Sequence, residues 1–405
     1  MLRAMACVVV VSLVGTVLLA VAVSGQEKVP ASGPGLTIQK GGVVLLDGEP
    51  YRGIGINYFS LFYDHLLKQD DMRYRDGLQA LAEHRIPFAR FMATAFWPAH
   101  MELYRTDRQA YYKLMDDVVR EAEQAGVGLI PSLFWHIGMV PDFVGEPVNQ
   151  WGDPGSKTRR FMRSYTEEFV RRYKDSPAIW AWEFGNEYNL PANLPNADKH
   201  RPKTNVNSGT PATRSEKDDV TGEMMVSAFT DFARTVRAID PHRAIFSGNS
   251  IPRPYAYHNW TENSWTRDTP EQYTQMLLRD NPDPIDTLTI HLYARKQKEY
   301  FADQQAGLAD IVRVSMAAAT GAGKPLFIGE FGAGRDQWEA DGERARVEEL
   351  IGIIESQRVP LAAVWVFDLR HQEGTHNITP DNERAYILDL VAQANTRIAA
   401  GQNRP

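Results

Sequence analysis

Cysteine is almost absent from this chain of 405 residues, which contains a single copy, Cys7. That residue lies in the apolar stretch at the N-terminus, so the folded part of the chain cannot contain an internal disulfide or a cysteine metal cage. Its stability must therefore come from packing. With 43% hydrophobic and 23% charged residues, the composition is that of a globular protein with enough apolar material for a large core.

Other patterns that would assign a function are also missing. There is no run of basic residues, and the net charge of -7 with a pI near 5.9 excludes a broad surface for binding nucleic acid. The chain contains no HExxH metal motif, no GxGxxG or GxxxxGK phosphate-binding loop and no serine nucleophile elbow. We therefore expect neither a metal nor a cofactor.

The first 25 residues predict export from the cytoplasm. One basic residue, Arg3, precedes a long run of apolar and small residues, and polar residues follow from Ser24. This pattern is typical of a signal peptide, and the run is also long enough to remain as a membrane anchor. Residues 26–35 predict a linker, which leaves residues 36–400 as a single folded domain. We expect a secreted, periplasmic or cell-surface protein, which a retained leader would anchor to the membrane.

Short apolar strands alternate with helical periodicity along the rest of the chain. The predicted strands are Arg52–Asn57, Pro87–Ala93, Gly128–Phe134, Ala178–Phe184, Ala244–Gly248, Thr287–Leu292, Leu326–Glu330 and Leu361–Phe367. The clearest predicted helices are Tyr111–Ala125, Thr158–Tyr173, Gly222–Ile239, Leu308–Thr320, Gly342–Ser356 and Ala385–Ala399. This α/β pattern predicts a (β/α)8 TIM barrel, with a doubly wound sheet as the alternative. Two short strands around Gly41 and Gly42 predict an N-terminal β-hairpin.

Polar and aromatic residues stand at the ends of several predicted strands. They are Arg90, His136, Asn186, Glu187, His291, Tyr293, Glu330 and Trp365. In a barrel these strand ends share one face, where such folds build their sites. Two of the residues are glutamates, and glycosidic cleavage needs two carboxyl groups, one to protonate the leaving oxygen and one to attack the sugar or activate water. The histidines and glutamates could also bind zinc, but no short histidine pair supports a metal site.

These motifs resemble glycoside hydrolase family 5, the cellulase and β-mannanase family. The resemblance covers the chain from Leu36 to Ala399. It rests on the opening LDGEPYRGIGIN, on GNE, HLY and GEFG at the ends of strands 4, 6 and 7, and on the tryptophan of strand 8. It places the chain in the retaining clan, whose acid/base lies on strand 4 and whose nucleophile lies on strand 7.

The resemblance implies that Glu187 is the general acid/base and Glu330 the nucleophile. Arg90 and Tyr293 would support the Glu330 carboxylate. These roles make physical sense, because a nucleophile must stay ionised and both a cation and a phenol donor stabilise its charge. Partial burial and the nearby negative charge would in turn keep Glu187 protonated until it acts.

The resemblance also implies the residues that hold the sugar. Asn186 would bind its 2-hydroxyl, His136 and His291 would line subsite −1, and Trp365 would form the platform beneath it. The sequence departs from the family at Tyr188, where many members have proline. That departure bears on the substrate more than on the mechanism.

Further expectations concern Glu183 and the loops. Glu183 lies within strand 4 and is expected to be a buried partner of Arg90 or of a histidine. Two long loops, 189–217 and 250–269, are interpreted as a cleft rim or lid and as a sugar-stacking wall, or else as plain surface excursions. Five tryptophans lie near predicted loops, which is too many for all of them to be core residues. They are Trp97, Trp135, Trp151, Trp260 and Trp265.

The predicted function is retaining, endo-acting hydrolysis of a plant-type β-1,4-linked polysaccharide, with β-mannan ahead of β-glucan. An exo-acting β-glycosidase or transglycosylase and a non-catalytic glycan-binding barrel are the alternatives, and the presence of both glutamates argues against the second. We expect a monomer whose partner is an oligo- or polysaccharide. We expect no nucleic acid partner, and contact with a membrane only through an uncleaved N-terminal segment.

Overall fold

The computed structural model describes residues 33–294, 299–302 and 304–402. The predicted leader and most of the predicted linker lie outside these residues. Within the described ranges, no helix is both long enough and apolar enough to cross a lipid bilayer.

Eight parallel strands form a nearly closed barrel. Numbered along the chain, barrel strands 1 to 8 are Gly53–Asn57, Phe88–Met92, Gly128–Phe134, Ala181–Gly185, Ala244–Phe246, Leu288–Tyr293, Leu326–Gly332 and Leu361–Val364. Strand 8 returns to pair with strand 1, and the hydrogen-bonded order is 5-4-3-2-1-8-7-6. The predicted TIM barrel is therefore confirmed, and the doubly wound alternative is wrong.

The seam between strands 5 and 6 is closed mainly by side chains, because strand 5 is only three residues long. The Asp286 backbone N–H donates to the Ile245 carbonyl at 3.0 Å, and the Asp286 carboxylate accepts from the Ile245 N–H at 2.8 Å. The Asn281 side-chain oxygen accepts from the Ser247 hydroxyl at 2.6 Å and from the Thr289 N–H at 3.1 Å. These bonds take the place of a regular ladder.

Helices occupy the connections between the strands. The α-helices are Ser60–Leu67, Arg73–Glu83, Glu102–Thr106, Arg108–Ala125, Met139–Val144, Lys157–Tyr173, Gly222–Arg237, Ala256–Glu262, Pro270–Asp280, Leu308–Ala322, Ala340–Ser356 and Tyr386–Gln402. All six predicted helices are confirmed, and every end agrees within three residues. The helix predicted from Tyr111 begins three residues earlier, because the Asp107 side chain caps it by accepting from the Ala110 N–H at 2.9 Å.

A small antiparallel sheet closes the N-terminal end of the barrel. Its strands are Leu36–Gln39, Val43–Leu46 and Glu49–Pro50, so the predicted hairpin is confirmed and gains a third short strand. Leu36 donates its N–H to the Trp180 carbonyl at 2.7 Å, and Leu36 and Val44 share one buried cluster with Phe88 and Phe327. The carboxyl ends of the strands are thereby left as the accessible end of the barrel interior.

A substitution at Gly248, just after strand 5, tests the close packing between strands 4 and 5. Gly248 has φ of +75°, and a Cβ there would lie 1.8 Å from the Gly185 carbonyl oxygen. Gly248→Ala is expected to lower the free energy of unfolding by about 3 kcal/mol, from left-handed strain and the forced backbone shift. Urea denaturation followed by circular dichroism measures the change.

The matched control is Gly352→Ala, in the helix Ala340–Ser356, where a Cβ meets open space. This change should raise the free energy of unfolding by up to about 1 kcal/mol, because alanine favours a helix over glycine. Equal stability of the two variants would contradict the assignment of the close contact at Gly248.

Candidate active site

The carboxyl ends of the barrel strands surround a cleft of about 460 Å³. Five of the predicted site residues line it, namely Asn186, Glu187, Tyr293, Glu330 and Trp365. Arg90 and His291 are almost fully buried and contact the glutamates of that cleft. Strands 2, 4, 6, 7 and 8 therefore bring together residues that are more than 200 positions apart in sequence.

Arg90 is the central cation of the site and is inaccessible to solvent. Its Nε donates to Glu183 Oε1 at 2.7 Å, and its Nη1 donates to Glu330 Oε1 at 2.9 Å and to Asn57 Oδ1 at 3.0 Å. Its Nη2 donates to Asn186 Oδ1 at 2.8 Å. Burial alone would lower the pKa of Arg90, but Glu183 and Glu330 raise it. The expected buried partnership between Glu183 and Arg90 is thus confirmed.

Glu330 is held from two sides. Beyond the contact with Arg90, its Oε2 accepts a 2.5 Å hydrogen bond from the Tyr293 hydroxyl. Burial and the negative charge of Glu330 raise the pKa of Tyr293, so the phenol keeps the proton that it donates. A guanidinium and a phenol that donate to one carboxylate stabilise its ionised form.

Glu187 lies at the open side of the cleft, with a side chain that is 30% exposed. Its backbone has φ of +55°, and its N–H donates to the Gly248 carbonyl at 2.9 Å. The local fold therefore turns the chain sharply after strand 4 and leaves the carboxylate facing the cleft. One carboxylate oxygen of Glu187 and one of Glu330 lie within 4.8 Å of each other.

His291 lies between the two carboxylates. Its Nδ1 is 3.0 Å from Glu187 Oε1 and 3.5 Å from Glu330 Oε1. Burial lowers the pKa of His291 to about 3, an effect that Glu330 opposes and Arg90 strengthens. The ring is therefore neutral at physiological pH.

The three ligand atoms offered by Glu187, His291 and Glu330 are also close enough together to hold a metal ion. One of these atoms, however, lies beside the Arg90 guanidinium, which donates to Glu330 Oε1 at 2.9 Å. That fixed cation already neutralises the carboxylate, and a second cation placed next to it would be repelled. The arrangement fits acid/base chemistry by two carboxylates better than metal binding.

Trp365 belongs to an aromatic group on the cleft wall. Its indole stacks on Trp135 with ring centroids 6.1 Å apart, and its Nε1 donates to Gln372 Oε1 at 2.9 Å. Phe59 meets both indoles edge to face. The orientation of Trp365 is fixed before any sugar arrives, as a stacking platform requires.

His136 does not line the cleft that contains the glutamates. Its ring stacks on Phe96 with centroids 4.7 Å apart, and it lies edge to face with Trp97. Burial and the nearby Arg214 lower the pKa of His136 to about 4. Its stacking partner Phe96 does line the cleft, so His136 lies behind that ring.

The aromatic side chains of the loop 250–269 do not line this cleft, contrary to the sugar-stacking interpretation. Trp265 is 48% exposed, and Trp260 donates to Glu223 in a separate groove. Trp151 is wholly buried and donates to the Ile137 carbonyl at 2.8 Å, so it is a core residue.

The loop 189–217 contributes Leu190 to the cleft. Farther along this loop, Arg214 forms two 2.7 Å hydrogen bonds with the buried carboxylate of Asp142. A loop fixed in this way is a rigid rim, because breaking a buried ion pair is costly.

Sequence reasoning missed several residues that line the cleft. They are Phe59, Phe96, Leu190, Gln337, Leu369, His371, Gln372 and His376. Phe59 lies just after strand 1, so a search of every strand end would have found it. The signal was weaker for His371, Gln372 and His376, because they lie well beyond Val364, the last residue of strand 8.

Comparison with known proteins identifies the family. Residues 70–368 match the family model described as Cellulase (glycosyl hydrolase family 5). The chain belongs to glycosyl hydrolase family 5. It is therefore a glycoside hydrolase that acts on carbohydrate, as the motifs predicted.

Similar proteins include mannanases and an endoglucanase. Mannan endo-1,4-beta-mannosidase 1 of Oryza sativa subsp. japonica is 26% identical over 382 residues, which cover 85% of this chain and 77% of the rice protein. The endo-1,4-beta-mannanase structure from Rhizomucor miehei has a TM-score of 0.63 at 15% identity, covering 90% of this chain and 99% of the other. An endoglucanase catalytic domain from Thermobifida fusca has a TM-score of 0.52 at 15% identity, covering 90% and 97%. The two structural likenesses show the shared barrel.

The neutral state of His291 can be tested by nuclear magnetic resonance of its ring nitrogens. Because burial lowers its pKa to about 3, the ring should stay neutral from pH 8 to pH 5. In the unfolded chain the His291 ring takes up a proton near the ordinary pKa of histidine. His291 therefore makes the fold less stable as the pH falls below about 6.5. A ring titration midpoint near 6.5, assigned with a His291→Gln variant, would contradict the buried position.

Proposed function

We propose that this glycoside hydrolase is a retaining, endo-acting enzyme that cleaves β-1,4 linkages in a plant-type polysaccharide, with β-mannan ahead of β-glucan. The observation that carries the proposal is the spacing of the two carboxylates, since an oxygen of Glu187 lies within 4.8 Å of an oxygen of Glu330. Retaining enzymes place their carboxyl groups about 5 to 5.5 Å apart, whereas inverting enzymes need about 6.5 to 9.5 Å for an intervening water.

In this proposal Glu330 is the nucleophile and Glu187 the general acid/base. The bonds from Arg90 and Tyr293 favour the ionised form of Glu330, which is the form that attacks. Glu187 is more exposed, and it lies near a negative charge and a neutral imidazole. The negative charge of Glu330 favours a protonated Glu187, and the partial exposure of Glu187 lets it reach the leaving oxygen.

The proposed reaction has two steps. Glu330 attacks the anomeric carbon while Glu187 protonates the departing oxygen, which leaves a glycosyl ester on Glu330. Glu187, now ionised, takes a proton from the water that attacks the same carbon, and Glu330 leaves as a carboxylate. Two inversions at one carbon give net retention.

The proposed substrate rests on the cleft and on the relatives. Trp135, Trp365 and Phe59 offer aromatic surfaces to the apolar face of a sugar, and Asn186, which lines the same cleft, is the proposed partner of its 2-hydroxyl. A second cavity of about 560 Å³ shares Leu190, Tyr293 and Ala294 with the cleft, which provides room for a chain that continues past the scissile bond. The name of the rice relative favours mannan over glucan.

We also propose that residues 1–25 direct the chain out of the cytoplasm and that residues 36–400 form the single catalytic domain. The apolar leader sequence supports export. A polymeric plant substrate is likewise found outside the cell that degrades it, so the proposed location and the proposed substrate agree.

Replacement of the nucleophile tests the mechanism. Glu330→Ala is expected to lower kcat on an activated aryl β-glycoside by on the order of 10³-fold or more, because no ester can form. Added azide should restore turnover and give a glycosyl azide of inverted configuration, since one displacement replaces two. The control Glu83→Ala, at an exposed helix position, should retain full activity.

Two results would contradict the assignment of Glu330. One is substantial activity of Glu330→Ala, and the other is an azide product with retained configuration. A protein that binds glycans without cleaving them would show no turnover even with both glutamates intact.

The product profile tests the substrate and the endo action. Purified enzyme is expected to lower the viscosity of β-mannan solutions much faster than it releases reducing ends, and to act more weakly on carboxymethylcellulose. Release of single sugars from the first time point would instead indicate the exo-acting or transglycosylating alternative. A preference for carboxymethylcellulose would overturn the choice of mannan and leave the mechanism intact.

A further inference from the structure

We propose that Glu183 is a positioning residue whose carboxylate is the counter-ion of Arg90 while Glu330 is bound covalently to the sugar. Glu183 does not line the cleft, so it acts on the reaction only through Arg90. The inference rests on the proposed retaining function, because only a retaining enzyme esterifies Glu330.

The geometry ties Glu183 to Arg90. Burial raises the pKa of Glu183, while the charge of Arg90 and the nearby Ser132 hydroxyl oppose that rise and favour the ionised form. Both side chains are fully buried, and Arg90 Nε donates to Glu183 Oε1 at 2.7 Å. The other Glu183 oxygen, Oε2, is buried without a hydrogen-bond partner in the described part of the chain. Burial of a carboxylate costs free energy unless a cation compensates its charge, and Arg90 is the cation that pairs with Glu183.

Arg90 has no spare donor with which to replace a lost partner. Its five N–H groups go to Glu183, Glu330, Asn57, Asn186 and, at 3.4 Å, the Gly185 carbonyl. Two of these five acceptors are carboxylates and three are neutral. The guanidinium also lies over the ring of Trp135 at 4.5 Å. Its compensating negative charge therefore comes from Glu183 and Glu330.

Formation of the glycosyl-enzyme removes one of those two charges. When a Glu330 oxygen bonds to the anomeric carbon, the bond to the leaving oxygen breaks and the proton of Glu187 passes to that oxygen. Glu330 becomes a neutral ester while Arg90 stays charged and buried. Without Glu183 this step would leave an isolated cation inside the protein, which is strongly unfavourable.

Hydrolysis of the ester, the second step, restores the original charges around Arg90. Water attacks the anomeric carbon, its proton passes to Glu187, and Glu330 departs as a carboxylate beside Arg90. Glu183 therefore stabilises the covalent intermediate, and the transition state that leads to it, relative to the free enzyme. Loss of its charge should slow formation of the ester without slowing hydrolysis of the ester.

Glu183→Gln tests this directly, since glutamine keeps the acceptor for Arg90 Nε and removes the charge. A 2-deoxy-2-fluoro-β-mannosyl fluoride separates the two steps, because it forms the ester and releases it slowly. Intact-protein mass spectrometry follows the adduct. We expect the rate constant for labelling to fall by about 100-fold or more and the rate constant for reactivation to stay the same or rise.

The matched control is Asp240→Asn. Asp240 pairs with the buried Arg243 at 2.8 Å near the N-terminal end of the barrel, so the change breaks a similar ion pair away from the cleft. The Asp240→Asn variant should be labelled at the wild-type rate. Labelling of Glu183→Gln at the wild-type rate, or an equal loss in both rate constants, would overturn the inference.

A second pair of variants decides the question if Glu183→Gln does not fold. Glu183→Asp keeps the charge and Glu183→Asn does not, with the same shortening of the side chain. Faster labelling of the aspartate variant supports the inference, and equal labelling overturns it. If wild-type enzyme turns over the substrate but never forms an adduct, the proposed retaining function itself fails, which is a different result.

Discussion

The interaction on which the site depends is the hydrogen bonding of one buried guanidinium, that of Arg90. It contacts Glu183, Asn186 and Glu330, which lie on or just after two different strands of the barrel. Because a charge without solvent must be compensated by its neighbours, these acceptors are fixed in place together. The barrel supplies the rigid strand ends, and the charge of Arg90 sets how closely the side chains approach.

Electrostatics within the cleft follow from that arrangement. Glu330 accepts from two donors, whereas Glu187 is partly exposed beside a neutral histidine. Two carboxyl groups a few ångströms apart thus experience different surroundings, as the proposed division into an acid and a nucleophile requires. The aromatic wall of Trp135 and Trp365 adds a fixed surface against which a sugar ring can be oriented.

The barrel and the candidate carboxylates could be predicted from sequence because their signals are local. Short apolar strands have polar residues at or just beyond several of their carboxyl ends, and the helices between the strands have clear periodicity. The aromatic residues that line the cleft were harder to predict from the sequence. Trp151 and Trp265 are equally apolar in sequence, yet one is buried and the other is 48% exposed. Only the packing of the following loop separates them, and no short pattern encodes it.

The central claim is that the two carboxylates are close enough for double displacement. The most direct measurement is proton magnetic resonance of the first sugar product, recorded before its anomers equilibrate. A spacing within 4.8 Å predicts that the β-anomer is formed first. Initial release of the α-anomer would show that a water lies between the carboxylates, and the roles of Glu330 as nucleophile and of Arg90 as its supporting cation would be wrong.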